Sequence, residues 1–327
     1  MQTRKLGFTD LHLTEIGFGA WALGGDGWAF GWGPQDDTES IAAIRKALDL
    51  GVNWIDTAAI YGHGHSETVV AKAVEGIRDE VIIATKCSIV WDEKGETSCN
   101  LTAKSIMREC EDSLRRLNTD RIDLYQIHWP NDPDNMEEGW DAIGQLIKDG
   151  KIRYGGVSNF RVSQLEQCQP KHPIASIQPP YSMLRRSYEL DGEFDFCRKN
   201  NVGIVAYSPI QCGLLTDNFD INRVAESDWR RKADEFKSPN LEINLDFAQE
   251  LKTIAQKYEK SVAQLALAWV LRLDVMTSAI VGARRPSQIE ETVGGAGWKI
   301  EQEDLDKIEE LLENRVNVIK KKDGYLV

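Results

Sequence analysis

The sequence predicts an α/β fold, a single closed (β/α)8 TIM barrel, on three observations. Eight short apolar runs rich in β-formers recur along the 327 residues. Most of them are followed by an amphipathic helical stretch, the rhythm of parallel strands joined by right-handed crossovers. No GxGxxG turn follows the first run, and eight repeats suit a closed barrel better than a doubly wound sheet.

Ahead of the first strand, residues 2–13 read as a small hairpin turning at Gly7-Phe8-Thr9-Asp10. The first run, 16–20 (IGFGA), leads to a helix over Thr38–Leu50, with Asp37 or Thr38 as its cap and Gly51 behind its end. The second and third, 53–57 (NWIDT) and 81–86 (VIIATK), precede helices at Ser66–Glu75 and Thr102–Leu117. The fourth, 122–128 (IDLYQIH), precedes Glu137–Lys148, and the fifth and sixth lie at 153–158 and 175–178. A helix over Ser187–Lys199 leads to the seventh, 202–208. A helix pair, Leu245–Lys257 and Val262–Leu271, precedes the eighth, 277–282. Residues 210–243 form a long polar insertion, the kind of loop that serves as a lid or binding segment. An amphipathic helix over 302–318 covers the barrel or meets a partner, and the basic end 320–327 reads as a frayed tail. Without a linker or low-complexity tract, one domain spanning 1–327 is expected.

Composition narrows the function. A net charge of −13 argues against nucleic-acid or anionic-membrane partners, although a local cationic cluster could still hold an anionic cofactor. No run of about 18 apolar residues marks a membrane span. Cys87, Cys99, Cys110, Cys168, Cys197 and Cys212 are scattered without a CxxC pair, which favours reduced thiols in a cytoplasmic protein.

In such barrels chemistry sits at the C-terminal strand ends. Those ends bring Asp56, Tyr61, Lys86 and His128 toward one small volume. Each has a plain structural reading: a cap, loop packing, a solvated strand end, a satisfied core histidine. Together they suit carbonyl reduction, in which hydride addition places negative charge on oxygen that must be stabilised and protonated. A free tyrosine is a poor acid at neutral pH, and a nearby ammonium is expected to lower its pKa. Lys86 would do so if held by Asp56, while His128 orients the carbonyl. A nicotinamide supplies the hydride, so no metal is required.

The segments DTAAIYGHGHSE (56–67), IIATK (82–86), DLYQIHWP (123–130), GVSNF (156–160), AYSPIQCGLLT (206–216) and VGARRPSQIEE (281–291) resemble the aldo-keto reductase superfamily. More narrowly they are similar to bacterial reductases related to potassium-channel β subunits, in register from Lys5 to about Leu311. The resemblance implies an NADPH-dependent reductase of aldehydes, and of ketones as a wider class. Tyr61 would be the general acid, assisted by Lys86, Asp56 and His128. It assigns Ser158, Asn159 and Gln178 to the nicotinamide carboxamide and Tyr207 to stacking on the ring. Gly19, Ala20, Trp21 and Asp56 join these cofactor contacts. Ser208, Pro209, Ile210, Gly213 and Leu214 would surround the pyrophosphate. Gly282, Arg284, Gln288, Glu291 and Thr292 would take the adenosine end, Thr292 standing where the family often has Asn. Arg284, with Arg285 beside it, would supply charge for the 2′-phosphate and so favour NADPH over NADH.

Trp21, Trp28, Trp32 and Trp129, with Tyr61 and His128, are the expected substrate contacts, an aromatic wall around a small-molecule carbonyl. Trp54, Trp140 and Trp269 fit core packing, whereas Trp91 and Trp229 fit either role. The His63/His65 pair lacks the companions of a metal site, and a substrate-loop role suits it better. Two other classes share these residues: a slow-turnover NADPH sensor or auxiliary subunit, and a Schiff-base aldolase using Lys86. An aldolase amine must lose its proton, which an Asp56 partner opposes. Oligomeric state is left open by the sequence.

Overall fold

The computed structural model describes residues 1–323, and all eight apolar runs become strands of one closed parallel barrel. They are β1 (Ile16–Gly19), β2 (Trp54–Asp56), β3 (Ile82–Cys87), β4 (Ile122–Ile127), β5 (Ile152–Ser158), β6 (Ser176–Gln178), β7 (Gly203–Ala206) and β8 (Met276–Gly282). Each pairs with its neighbours in chain order, and β8 closes onto β1 through Ala279–Ile16 to Gly282–Gly19. Sequential pairing places every strand's C-terminal end on one face, where the loops converge.

The N-terminal hairpin, Thr3–Lys5 against His12–Thr14, plugs the opposite end. Leu6, Leu11 and Leu13 pack there with Trp54, Leu124 and Val205. Gly17 is required beneath the Trp54 indole, because a Cβ there would lie 2.1 Å from Trp54 Cε2. A second apolar layer lies between barrel and helices and takes in Trp140 and Trp269, both fully buried as expected.

Helix boundaries follow their capping chemistry, with three departures from expectation. Asp36, rather than Asp37 or Thr38, caps Asp37–Asp49 by accepting from Glu39 N–H. The helix expected over Ser187–Lys199 is broken into Ser187–Leu190 and Glu193–Asn200, because Gly192 between them has φ of +102°. The segment after β3, unassigned in sequence, forms a small hairpin of Ile89–Trp91 and Thr97–Cys99. Thr102 caps Ala103–Leu117, and Ser261 with Gln264 makes a capping box on Val262–Leu271. The last helix, Gln302–Asp323, reaches the end of the described residues, so the tail expected over 320–327 lies outside them except for backbone to Asp323. Among the described residues, no helix is long and apolar enough to cross a membrane.

Candidate active site

At the C-terminal face a cavity of about 1330 Å³ runs from Trp129 across the barrel mouth to Glu291 and Thr292. Asp56 ends β2, Lys86 is the penultimate residue of β3, His128 follows β4, and Tyr61 rides the loop after β2. These positions bring the four together. Lys86 Nζ donates to Asp56 Oδ2 at 2.7 Å, to the Thr57 carbonyl at 2.8 Å and to Tyr61 Oη at 3.2 Å. The Tyr61 and His128 rings meet edge-on with centroids 5.8 Å apart. Asp56 Oδ1 accepts from Gln178 Nε2 at 2.7 Å, so both carboxylate oxygens are engaged.

Burial governs the electrostatics. The Lys86 ammonium is pulled below its ordinary pKa by burial, a shift opposed by the Asp56 carboxylate. Tyr61 differs from the expectation. Burial, and then the Asp56 charge, push its phenol well above 10 even though Lys86 touches it. The tyrosine therefore keeps its proton in the free protein, and Lys86 is placed to stabilise the phenolate only after that proton leaves. His128 is pushed well below 6.5 by burial and by the Lys86 cation, so it is a neutral imidazole at physiological pH.

The His128 shift has a stability consequence. Below the unfolded-state pKa of about 6.5, the unfolded chain takes up a proton that the folded chain refuses, so stability is present above that pH and lost as pH falls. Each unit below it costs up to about 1.4 kcal/mol until the folded-state pKa is reached. Urea midpoints at acid and neutral pH should differ less in His128→Gln than in the parent. An equal difference would show that His128 titrates normally in the fold.

Most of the remaining candidates line the cavity: Gly19, Trp21, Trp28, Trp32, Trp129, Asn159, Tyr207, Ser208, Pro209, Ile210, Gly213, Gly282, Arg284, Gln288, Glu291 and Thr292. Ala20, Ser158 and Leu214 are buried behind that wall. The Ser158 hydroxyl donates to the Gln178 carbonyl at 2.8 Å. Asn159 Nδ2 donates to the His128 carbonyl at 2.9 Å, and its Oδ1 accepts from Tyr207 Oη at 2.9 Å. These groups, assigned in sequence to the cofactor carboxamide, thus tie the floor together and anchor His128.

Arg284 is more committed than expected. Its Nε donates to Gln35 Oε1 at 2.6 Å, its Nη1 to the Trp32 carbonyl at 3.2 Å, and its Nη2 to the Pro34 carbonyl. The guanidinium therefore clamps the loop after β1 as well as facing the cavity.

The 210–243 insertion, expected to be a lid or binding segment, lines the cavity with Trp229, which fitted either role in sequence, and with Arg230, which sequence reasoning left out. Trp229 stacks on Trp21 at 5.3 Å, its backbone N–H donates to the Gly31 carbonyl at 3.2 Å, and Ser227 reaches Asp26 at 3.0 Å. Arg230 lies over the Trp32 ring at 4.3 Å, held by the buried Asp228 at 2.7 Å. Burial and the neighbouring Arg230 charge both pull Arg284 below its ordinary pKa. The local sequence DWRR, an aromatic and two arginines inside a polar loop, was the available signal. Phe30 and Ile89 also line the mouth. His63 and His65 diverge: His63 stacks on Trp91, while His65 pairs with Asp37 at 2.8 Å.

Comparison with known proteins agrees with this geometry. The model of the aldo/keto reductase family matches residues 15–313. The chain is 36% identical to the aldo-keto reductase YhdN of Bacillus subtilis (strain 168), covering 97% of this chain and 95% of that one. It is 32% identical to an NADH-specific methylglyoxal reductase of Escherichia coli (strain K12), over 96% and 99% of the two chains. The solved structure of a glycerol dehydrogenase from Gluconobacter oxydans superposes with a TM-score of 0.87 at 36% identity, covering 96% of each chain. With nearly the whole barrel matched, this chain belongs to the aldo/keto reductase family, oxidoreductases that act on carbonyls.

Proposed function

We propose that the protein reduces aldehydes, and ketones as a wider class, with NADPH. The contact of Lys86 with both Asp56 and Tyr61 at the cavity floor carries this reading. A cavity of about 1330 Å³ exceeds the 300–1,000 Å³ usual for small-ligand sites, and suits a dinucleotide together with a substrate. Burial and then the Arg230 charge lower the Arg284 pKa, Asp228 opposes that shift, and a phosphate would relieve it further. Among the described residues, Trp32 Nε1 and Trp229 Nε1 are buried donors without partners at the same end. These features fit NADPH, with Arg284, Arg230 and Arg285 toward its 2′-phosphate and Tyr207 against its nicotinamide.

Bound NADPH supplies the hydride. The chain's own residues do the rest. Neutral His128 donates a hydrogen bond that orients the carbonyl oxygen. Tyr61 gives its proton to the oxygen as negative charge develops, and the Lys86 ammonium receives the phenolate. Asp56 holds Lys86 charged against the cost of burial. Trp21, Trp28 and Trp129 wall the substrate from water. A small-molecule carbonyl is the partner proposed here.

Cofactor choice is testable, and the E. coli relative named NADH-specific makes it a necessary test. Arg284→Ala should weaken NADPH binding about tenfold or more, the loss of one charge-assisted contact, and NADH much less. Gln35→Ala removes the side-chain half of that clamp, leaving the Trp32 and Pro34 carbonyls and the charge, so it should affect both cofactors equally. Calorimetric titration with each cofactor decides. Equal losses for Arg284→Ala would place the 2′-phosphate elsewhere.

A further inference from the structure

Two residues beyond Lys86 the chain leaves the barrel at Ser88, which has φ of +80°, a conformation that side-chain-bearing residues rarely adopt. Leaving the strand ladder takes its N–H out of the sheet, and the group is buried. Glu109 meets it. This carboxyl projects inward from the helix Ala103–Leu117, where Oε2 accepts the Ser88 N–H at 2.9 Å and Oε1 accepts the Ser105 hydroxyl at 2.9 Å. The Ser88 hydroxyl then bridges both backbone groups of Trp129. It donates to the carbonyl at 3.1 Å and accepts the N–H at 3.2 Å. The Cys99 thiol adds a second donor to that carbonyl at 3.3 Å. One residue earlier, His128 N–H donates to the Cys87 carbonyl at 3.1 Å.

We propose that Glu109 and Ser88 form a positioning relay that fixes His128 and Trp129 against the reacting carbonyl. Neither residue lines the cavity, so both act through the residues they hold. The inference deepens the reductase reading and rests on it. Three features make the relay more than a strand-to-helix tie. It ends on Trp129, an indole wall directly after the carbonyl donor His128, and Trp129 is 38% exposed, with little packing of its own to hold it. It engages both the N–H and the carbonyl of Trp129, which fixes orientation as well as position. It lies on the β3–β4 side of the mouth, away from the residues of β7 and β8 assigned to the phosphates and adenosine, and its own contacts reach Trp129 and not Asn159, the carboxamide residue that holds the His128 carbonyl. Substrate and cofactor effects should therefore separate. Burial raises the Glu109 carboxyl to about 7, so the neutral acid is close at hand and glutamine is a close replacement in shape and hydrogen bonding.

The decisive variant is Ser88→Gly, because glycine accepts a positive φ, and that backbone relief offsets part of what the lost hydroxyl costs. With benzaldehyde as probe, its kcat/KM should fall about tenfold to a hundredfold, the range a misplacement of order 1 Å reaches, with NADPH affinity unchanged. Hydrogen exchange over 128–131 should accelerate in the same variant. Glu109→Leu should reproduce the pattern and Glu109→Gln restore it; if the leucine variant fails to fold, Ser88→Gly and Glu109→Gln decide. Unchanged kcat/KM and unchanged exchange in Ser88→Gly would overturn the relay, as would a matching loss of NADPH affinity. A parent protein that never reduces benzaldehyde would sink the reductase reading instead, and the exchange measurement would still decide the tie.

Discussion

Tyr61→Phe should abolish reduction, lowering kcat about a thousandfold, the scale of a positioned general acid, while NADPH binding is retained. Only one oxygen is removed. Lys86 keeps Asp56 at 2.7 Å and the Thr57 carbonyl at 2.8 Å, so the buried charge stays paired and stability should change by about 1 kcal/mol or less. The ring stays wedged among Trp21, Trp28 and His128. A variant that binds cofactor but turns over at a rate near the parent's would remove Tyr61 from the role of acid. Because burial and Asp56 hold the phenol protonated, the parent's reductase activity should also show no loss attributable to Tyr61 ionisation between neutral pH and about 9.

Lys86→Met should cost both stability and catalysis. Methionine is near enough in volume to fill the site, but it leaves the Asp56 carboxylate buried with only Gln178 as partner. Removing one member of a buried ion pair destabilises by about 3–5 kcal/mol. The double variant Asp56→Asn with Lys86→Met removes the charge pair together. It should regain most of the lost stability and none of the activity, since nothing remains to receive the phenolate. Urea unfolding and a turnover assay read the two halves separately. Recovery of activity in the double variant would mean that the ammonium is dispensable.

The parts of this protein legible in sequence are those with a local physical signature. Runs such as VIIATK and IDLYQIH read as strands because they are short, mostly apolar and rich in β-branched and aromatic residues, and their count gives the closed sheet. Asp56, Tyr61, Lys86 and His128 could be found because strand ends are where a barrel exposes polar side chains. What stayed hidden depends on contacts between distant segments. Trp229 fitted two roles until its stack on Trp21 made it part of the roof, and nothing near Arg284 in sequence foretells its clamp on Gln35. Glu109 reads as one charged residue on an amphipathic helix, although it faces inward to a strained serine. Burial outweighs the neighbouring lysine in the direction of the Tyr61 pKa, and a sequence shows the lysine but not the depth of burial.

The most direct test is a single-turnover mixture of the protein, preloaded with NADPH, and excess benzaldehyde, followed by the loss of NADPH absorbance. One equivalent of NADPH should be oxidised in the parent, with the alcohol recovered in equal amount, while Tyr61→Phe carries intact NADPH through the same interval. If the parent instead holds NADPH unchanged beside the aldehyde, or Tyr61→Phe consumes it equally fast, the phenol and ammonium at the floor of the cavity are not the machinery of carbonyl reduction.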